Sequence, residues 1–223
     1  MATAIFANGD YEDDEFYLRR FDAADRVIAA DGGLAFLHRH GRWPEAVIGD
    51  FDSAPAEMVA AARAAGVAVV TRPVRKDQTD TELAVALAVE QGAHEIELLG
   101  ALGGAPDHVF GHIAVLRNLA QRGRVGRIAS PGVAMRVFWS PAAVTLASPV
   151  GTRVSFVALS PTAVATLRGF EYEITNAPLA AEVCLGLSNA VAGEARFEVK
   201  AGVLLVLVFN GDEGFSGAPR VSA

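Results

Sequence analysis

The stretch EAVIGDFDSAPAEMVAAARAAGVAVVTR, residues 45–72, decides the fold that we predict for the first half of this chain. It contains two short apolar runs bounded by turn residues, at 45–50 and 67–72, and such runs are typical of buried strands. Between them, residues 53–66 have the composition and the flanking residues of a helix. A strand, a helix and a strand in this order indicate a parallel sheet covered by helices.

The alternation of apolar strands and helices continues over the first 130 residues. Ser53 is the expected N-cap of the helix in the opening stretch, and Thr79 with Glu82 has the pattern of a capping box at the start of another helix. We therefore predict a parallel α/β (Rossmann-like) domain over residues 1–131. Its further strands are expected at 3–8, 26–31, 95–100 and 127–130, and its further helices at 32–41, 79–92 and 107–123.

The pattern changes after residue 131, where the apolar segments become short and rich in β-branched and aromatic residues. Gly, Pro, Ser and Asn separate these segments, and we find no long helical period among them. Several short strands with turn residues between them are typical of an all-β domain. The sequence therefore predicts an antiparallel β-sandwich over residues 132–223.

The composition limits the class of partner and the compartment. The chain has 223 residues, of which 52% are hydrophobic, and its net charge of −7 without a cluster of Lys and Arg argues against nucleic acid as a partner. The single cysteine, Cys184, cannot form an internal disulfide and fits a reducing compartment. The N-terminus lacks the features of a signal peptide, and the apolar run GVLLVLVF is too short to cross a bilayer. We therefore expect a cytoplasmic protein with neither nucleic acid nor membrane as partner.

Six aspartates follow predicted strands or begin predicted helices, on what would be one edge of the parallel sheet. Each alone is explained by helix capping, because Asp is a common N-cap and acids are favoured at helix N-termini. Six carboxylates in one cleft would repel one another unless a cation neutralised them, and oxygen ligands of this kind suit Mg²⁺. The pattern thus favours a Mg²⁺ site. The six residues are Asp31, Asp50, Asp52, Asp77, Asp80 and Asp107.

Glycine-rich turns lie on the same predicted edge, at DGG (31–33) and GALGGAPDH (100–108). Glycine lets the backbone approach a phosphate closely, although ordinary tight turns explain the same residues. Neither stretch has the GxxxxGK[ST] or GxGxxG spacing of the common nucleotide-binding loops. Lys76, beside the acids, could meet phosphate oxygens or could be a solvated surface lysine.

Together these motifs resemble the thiamine pyrophosphokinase family. The matching segments follow the family's order and cover nearly the whole chain, and GDFDS with KDQTDTE is the specific pair. The segments are ANGD (7–10), ADGG (30–33), IGDFDS (48–53), KDQTDTELA (76–84), LGALGGAPDH (99–108), LRGFEYEITNAPL (167–179) and GLSN (186–189).

The resemblance implies an N-terminal α/β domain that binds ATP and Mg²⁺, a C-terminal β domain that binds thiamine, and a homodimer with its active sites at the subunit interface. It also implies transfer of the pyrophosphoryl group of ATP to thiamine, with thiamine diphosphate and AMP as products. Two alternatives stay open. One is a Mg²⁺-dependent diphosphokinase that acts on another small alcohol, such as a pterin, and the other is a nucleotide- or thiamine-binding protein without turnover.

The resemblance further implies roles for single residues. The metal ligands would be Asp50, Asp52, Asp77 and Asp80, and the catalytic residues would be Asp52, Asp77, Asp80 and Asp107. The residues expected at ATP and its phosphates are Asp31, Gly32, Gly33, Lys76, Gln78, Thr79, Thr81, Gly103, Gly104 and His108. Ser188 and Asn189 would help to hold thiamine. Tyr172 could stack on the cationic ligand or could pack inside the β domain or its interface.

The chain departs from the family's pattern at Ala105 and Pro106, because the family usually has Gly-Gly-Arg-x-Asp-His where this chain has GGAPDH (103–108). The arginine that would stand beside the phosphates is absent. Lys76 or Arg75 could supply the cation instead.

The residue that accepts the proton of the attacking alcohol is left open by the sequence. Asp77, Asp80 and His108 are the candidates. His112 is expected to be structural, because a zinc site would need further nitrogen or sulfur ligands.

Overall fold

The computed structural model describes residues 1–49, 51, 55–71, 78–210 and 215. It divides into two compact units, the first formed by residues 1–115 and 128–130 and the second by residues 116–127 and the described part of 131–223. None of the described helices is long and apolar enough to span a membrane. The predicted division into functional domains at residue 131 stays a prediction.

The first unit alternates strands with helices, as the sequence predicts. The elements in chain order are β1 (Ala2–Phe6), α1 (Asp14–Ala23), β2 (Arg26–Ala30), α2 (Gly33–Arg39), β3 (Ala46–Gly49), α3 (Ala56–Ala64), β4 (Ala68–Thr71), α4 (Asp80–Glu90), β5 (Glu95–Leu99), α5 (Pro106–Gln121) and β6 (Val125–Ser130). Strands β1 to β5 pair in parallel in the order β4-β3-β2-β1-β5. The predicted α/β class is confirmed, whereas the finer Rossmann-like description stays a prediction.

The side chains of the parallel strands alternate between two buried faces. Phe6, Val27 and Val47 pack with side chains of α1, α2 and α3 in one apolar cluster. Ile5 and Ile28, each one residue away along its strand, are 0% and 1% exposed and point to the opposite face. Helix α4 packs against β1, β2 and β3. Because both faces of the sheet are buried at β1, β2 and β3, these strands are mainly apolar, whereas β5 carries Glu95 and Glu97.

Helix α1 is not predicted by the periodicity of the sequence. Asp13 is its N-cap, and the Asp13 carboxylate accepts a hydrogen bond from the Phe16 N–H at 3.1 Å. Asp14 and Glu15 stand in the first turn, where acids interact favourably with the helix dipole. Phe16 and Tyr17 are fully buried, and Leu18 and Phe21 are partly buried against the same core cluster, so the apolar face begins directly after the acidic run.

Helix α3 begins later than predicted. Pro55 occupies its N-cap position without a side-chain hydrogen bond, and the helix itself starts at Ala56. The predicted start at residue 53 is therefore wrong, and Ser53 lies outside the described residues. Pro55 has a φ of −55°, close to the value that its ring enforces, and a ψ of 129°, a non-helical conformation that is typical of an N-cap residue.

The second unit is built from antiparallel strands. They are β7 (Val133–Trp139), β8 (Ala142–Leu146), β9 (Arg153–Ala158), β10 (Thr162–Phe170), β11 (Ile174–Ala180), β12 (Asn189–Ala201) and β13 (Val203–Phe209). Their order is β7-β13-β9-β12-β10-β11, and β8 also pairs with β12. Phe138, Phe156, Phe170 and Phe197 meet edge to face in the core of this unit. The predicted antiparallel β region is confirmed, and its description as a sandwich stays a prediction.

Candidate active site

The sheet of the first unit changes its direction of winding at β1. From β1 the chain adds β2, β3 and β4 on one side, and it then places β5 on the other side of β1. Parallel sheets bind ligands in the crevice that opens at such a point, outside the carboxyl ends of the strands. A cleft of about 420 Å³ lies at this position, between the loops that follow β1, β2 and β5 and the N-terminal turns of α4 and α5.

Asp31 follows β2 and lines the cleft. Its φ of 43° lies in the left-handed region, which aspartate tolerates better than most residues. The Asp31 N–H donates to Ile48 O at 2.9 Å, and Asn8 Nδ2 donates to Asp31 Oδ2 at 3.3 Å. The predicted acid is therefore at the cleft, 9% exposed, with its carboxylate oriented by Asn8.

The loop after β1 packs directly against the loop after β5. A Cβ atom at Gly9 would overlap the Gly100 carbonyl, and one at Gly103 would overlap the Asp10 carboxylate. The Gly104 N–H donates to Asp10 Oδ2 at 3.0 Å. Gly103 is thus required by close contact between the two loops, and both Gly103 and Gly104 line the cleft.

Helix α4 begins at the cleft with the predicted capping box. The Glu82 N–H donates to Thr79 Oγ1 at 3.2 Å, and the Thr79 N–H donates to Glu82 Oε2 at 2.7 Å. Asp80, in the first turn, lines the cleft. The helix dipole favours a negative charge at this place, so the position of Asp80 suits an ionised carboxylate.

His112 connects α5 to α4 and to the loop after β5. Its Nδ1 lies 2.8 Å from Ala101 O, and its Nε2 lies 3.3 Å from Thr81 Oγ1. A carbonyl can only accept, so Nδ1 carries the proton and Nε2 accepts from the Thr81 hydroxyl. Burial lowers the pKa of His112, and the hydrogen bond to Ala101 only partly offsets this effect. The neutral ring has the structural role that the sequence suggests for it.

At pH values below about 6.5, we expect the free energy of unfolding to decrease, and we expect part of this decrease to depend on His112. The unfolded chain protonates this residue at its ordinary pKa of 6.5, whereas the folded chain resists protonation until a lower pH. The contribution of the neutral ring is therefore present above pH 6.5 and is lost as the pH falls toward the lowered pKa. Urea unfolding of the native protein and of His112→Gln at pH 7.5 and 5.5 measures it. An equal loss in both proteins would contradict the expectation, since the other titrating groups are shared.

Seven of the residues predicted at ATP or the metal line the cleft, namely Asp31, Thr79, Asp80, Thr81, Gly103, Gly104 and His108. The predicted residues that are described but do not line it are Gly32, Gly33, Gln78 and Asp107. The predicted residues outside the described part of the chain are Asp50, Asp52, Lys76 and Asp77. The cleft also contains residues for which the sequence suggested no role there, among them Asn8, Gly9 and His112. Asn8 has a signal in the sequence, because it is a polar residue directly after a buried strand.

Two of the predicted residues serve local structure. Asp107 is exposed in the first turn of α5, and its Oδ1 accepts from the His108 N–H at 3.0 Å. A Cβ atom at Gly32 would overlap the Asn8 amide, so Gly32 leaves room for the side chain that orients Asp31. Both observations agree with the capping and tight-turn alternatives, and the roles of these residues at ATP stay predictions.

No three His, Cys, Asp or Glu side chains of the described ranges are grouped closely enough to hold a metal ion. Three of the four predicted ligands, Asp50, Asp52 and Asp77, are outside these ranges. The described carboxylates at the cleft are those of Asp31 and Asp80.

The residues predicted at thiamine surround one turn of the second unit. Tyr172 lies between β10 and β11 and is 70% exposed, so it does not pack in the core of this unit. Asn189 begins β12 and is 4% exposed. Ser188 has a φ of 56°, and its N–H donates to Ser155 Oγ at 3.1 Å. Within the segment GLSN (186–189), Ser188 is therefore hydrogen-bonded to β9, and Asn189 is the first residue of β12.

Family models of thiamin pyrophosphokinase match both parts of this chain. The catalytic domain matches residues 17–125, and the vitamin B1 binding domain matches residues 144–204. The chain is also 27% identical over 183 residues to the thiamine pyrophosphokinase of Bacillus subtilis (strain 168), which corresponds to 81% of this chain and 85% of that protein.

Solved structures with these names have the same fold. The thiamin pyrophosphokinase of Geobacillus thermodenitrificans has a TM-score of 0.80 and 31% identity, covering 96% of this chain and 100% of that one. The Bacillus subtilis enzyme has a TM-score of 0.83 and 25% identity, covering 95% and 100%. The Candida albicans enzyme keeps the fold at 14% identity, with a TM-score of 0.80 and coverage of 93% and 88%.

Proposed function

The chain belongs to the thiamin pyrophosphokinase family, and we propose that it transfers the pyrophosphoryl group of ATP to the hydroxyethyl oxygen of thiamine. The products are thiamine diphosphate and AMP. The cleft outside the carboxyl ends of β1, β2 and β5 supports this proposal, because it collects Asp31, Asp80 and the glycine loop in one place. We place the reaction in the cytoplasm, where the exposed Cys184 would stay a free thiol.

The reaction needs alignment and charge neutralisation more than covalent catalysis. The thiamine alcohol attacks the β-phosphorus, the bond from that phosphorus to the oxygen of the α-phosphate breaks, and AMP leaves with that oxygen. The phosphates would lie against Gly104, which is exposed and where a Cβ atom would meet nothing within 4 Å. Of the described residues, Asp80 and His108 line the cleft as acceptors for the alcohol proton. His112 does not qualify, because Ala101 and Thr81 engage both of its ring nitrogens.

We propose that Mg²⁺ binds with ATP at this edge of the sheet. The described donors fit such an ion, since the carboxylates of Asp31 and Asp80 line one cleft and carboxylate oxygens suit Mg²⁺. Asp50 and Asp52 follow β3 in the sequence and Asp77 precedes α4, so these motifs add acids to the same set. The bound ion would neutralise charge on the phosphates.

Ala105 stands where the family's pattern has an arginine, and it lines the cleft. Pro106 is the first residue of α5, a position that proline suits because its fixed φ is helical and its missing N–H has no partner there. The two residues together give a regular helix start without a cation, so any substitute cation comes from elsewhere. Lys76 and Arg75 are the candidates in the sequence.

We expect Ala105→Arg with Pro106→Phe to raise kcat/KM for ATP about tenfold, the effect of one added charge-assisted hydrogen bond. If Lys76 substitutes for the missing arginine, Lys76→Ala should harm this variant less than it harms the native chain, because the two cations share one task. A double-mutant cycle on kcat/KM measures the coupling. If the effects of the two changes on kcat/KM were strictly additive, Lys76 would not be the cation that acts in place of the missing arginine.

We propose that the second unit is a β-sandwich that binds thiamine and forms a homodimer. Its exposed large apolar side chains include Tyr172, Val183, Leu185 and Leu187. Single exposed apolar residues are ordinary, but a group of them is typical of an interaction surface. Three of these four lie in the segment just before Asn189, so the dimer and the thiamine site would be close to each other.

Leu185→Glu is expected to convert the dimer into a monomer at micromolar concentration, because it would place a charge inside the apolar interface. Analytical ultracentrifugation measures the change. Val150→Glu is the matched control, since Val150 is 72% exposed against 69% for Leu185 but lies in the turn between β8 and β9. A native protein that is monomeric and fully active would refute the dimer.

Incubation with ATP, Mg²⁺ and thiamine, followed by mass spectrometry, tests the proposed function. We expect thiamine diphosphate and AMP in equal amounts, without ADP. A diphosphorylated pterin in the absence of any thiamine product would indicate a diphosphokinase for another alcohol. Bound nucleotide or thiamine without any product would indicate a binding protein.

A further inference from the structure

Asn189 holds the backbone of Tyr172 through its side chain. Asn189 Oδ1 accepts from the Tyr172 N–H at 3.0 Å and from the Ala190 N–H at 2.9 Å. Asn189 Nδ2 donates to Tyr172 O at 2.9 Å. The side-chain amide thus pairs with both polar backbone groups of Tyr172, as the backbone of a neighbouring strand would.

These bonds leave the Asn189 side chain little capacity for a ligand. Oδ1 uses both of its lone pairs, and Nδ2 uses one of its two N–H groups. The residue is 4% exposed, whereas Tyr172 is 70% exposed. The buried amide is therefore placed to hold the turn, and the exposed ring is placed to meet a ligand.

A second set of contacts holds the same turn from its other side. The Gly169 N–H donates to Glu173 Oε1 at 2.7 Å, and Arg168 Nη2 donates to Thr175 Oγ1 at 2.5 Å. Gly169 has a φ of 73°, and a Cβ atom there would overlap the Glu194 carbonyl. The turn is thus held at both ends, and an exposed ring on a rigid turn binds with a small loss of conformational entropy.

We propose that Asn189 is a positioning residue for Tyr172, and that the Tyr172 ring rather than the Asn189 amide contacts the cationic thiamine. The inference rests on the proposed function and changes the role that the GLSN motif suggests for Asn189. The face of an aromatic ring attracts a cation only when it is turned toward it. Loss of Asn189 would free the N–H and the carbonyl of Tyr172 and would let the ring leave that orientation.

A double-mutant cycle on thiamine binding tests the inference, with isothermal titration calorimetry of the full chain and thiamine alone. Asn189→Ala is expected to weaken binding about tenfold, as Tyr172→Ala does, because each removes the same cation–π contact. The double variant should bind no more weakly than Tyr172→Ala, since a positioning residue has no further effect once the ring is gone. The affinity for ATP should stay unchanged, which a general loss of structure would not permit. Asn118→Ala, an exposed position on α5, is the matched control and should change neither affinity.

Additive losses in the double variant would overturn the inference, because they would show that Asn189 contacts thiamine itself. If Asn189→Ala does not fold, Asn189→Asp takes its place in the cycle. This variant keeps the shape and the acceptor oxygen, loses the donation to Tyr172 O and places a carboxylate oxygen against that carbonyl, and the same two outcomes apply to it. A native chain that binds no thiamine would overturn the proposed function, a result distinct from additivity.

Discussion

The Asp52→Asn protein is expected to lose about 100- to 1,000-fold in turnover with ATP and thiamine while its fold survives. Asp52 is outside the described residues, but it stands three positions after Gly49, the last residue of β3. A Cβ atom at Gly49 would lie 3.3 Å from Asp31 Cα, so β3 ends beside the aspartate that lines the cleft. The substitution keeps the shape of the side chain and removes a charge where, by our proposal, metal and phosphate meet.

The measurement is kcat and KM over a range of Mg²⁺ concentrations, together with the circular dichroism spectrum. The loss should be largest at limiting Mg²⁺, because the weakened site then fills least. Asp22→Asn is the matched control. Its carboxylate is 58% exposed on α1 and pairs with Arg42 at 3.4 Å, so removing it should change activity by less than about twofold. Full activity of Asp52→Asn at limiting Mg²⁺ would exclude a role in metal binding.

Gly33→Ala is expected to lower the free energy of unfolding by about 3 kcal/mol. Gly33 is buried at the start of α2, and a Cβ atom there would overlap the carbonyl of Phe6. Phe6 ends β1, which is paired on both sides by β2 and β5 and therefore cannot move away. The strain would fall on the sheet at the point where the cleft opens.

Gly111→Ala provides the comparison for this prediction. Gly111 is exposed within α5, and a Cβ atom there would meet nothing within 4 Å. Because alanine is the better helix former, this variant should gain up to about 1 kcal/mol. Chemical unfolding followed by circular dichroism measures both variants. Similar changes in the free energy of unfolding of the two variants would show that the contact between residue 33 and Phe6 causes no strain.

The parts of the fold that could be predicted are those with a local cause. Strands β1, β2 and β3 are mainly apolar because both faces of the sheet are buried there, and that pattern is visible residue by residue. Thr79 and Glu82 form their capping box within four residues of chain, so the start of α4 could be predicted to within one residue. Helix α1 also has a local cap, Asp13, but this residue stands in an acidic run that is equally typical of a loop, and only Phe16 and Tyr17 of the helix are fully buried. At α3, Ser53 was a plausible local cap, but Pro55 occupies the N-cap position.

The candidate site could be predicted in part for a related reason. Asp31 and Asp80 follow a strand or begin a helix, and the carboxyl ends of parallel strands share one edge of the sheet. Asn189 was expected at thiamine from its motif, and the sequence does not show that its amide is already engaged by Tyr172, 17 residues away. Which polar atoms remain available for a ligand depends on contacts that no local pattern records.

By itself, the sequence determined the alternation of elements, the change to antiparallel strands near residue 131 and the placement of Asp31 and Asp80 near the sheet edge, because periodicity, caps and turn residues act over a few positions. The tertiary structure alone decided which of these residues meet. The Gly104 N–H reaches Asp10 across 94 positions, and His112 reaches Thr81 across 31. Contacts of this kind depend on the order in which strands pair and on how closely two backbones approach. The glycines permit this close approach, but their positions in the sequence do not identify the backbone segment that packs against them.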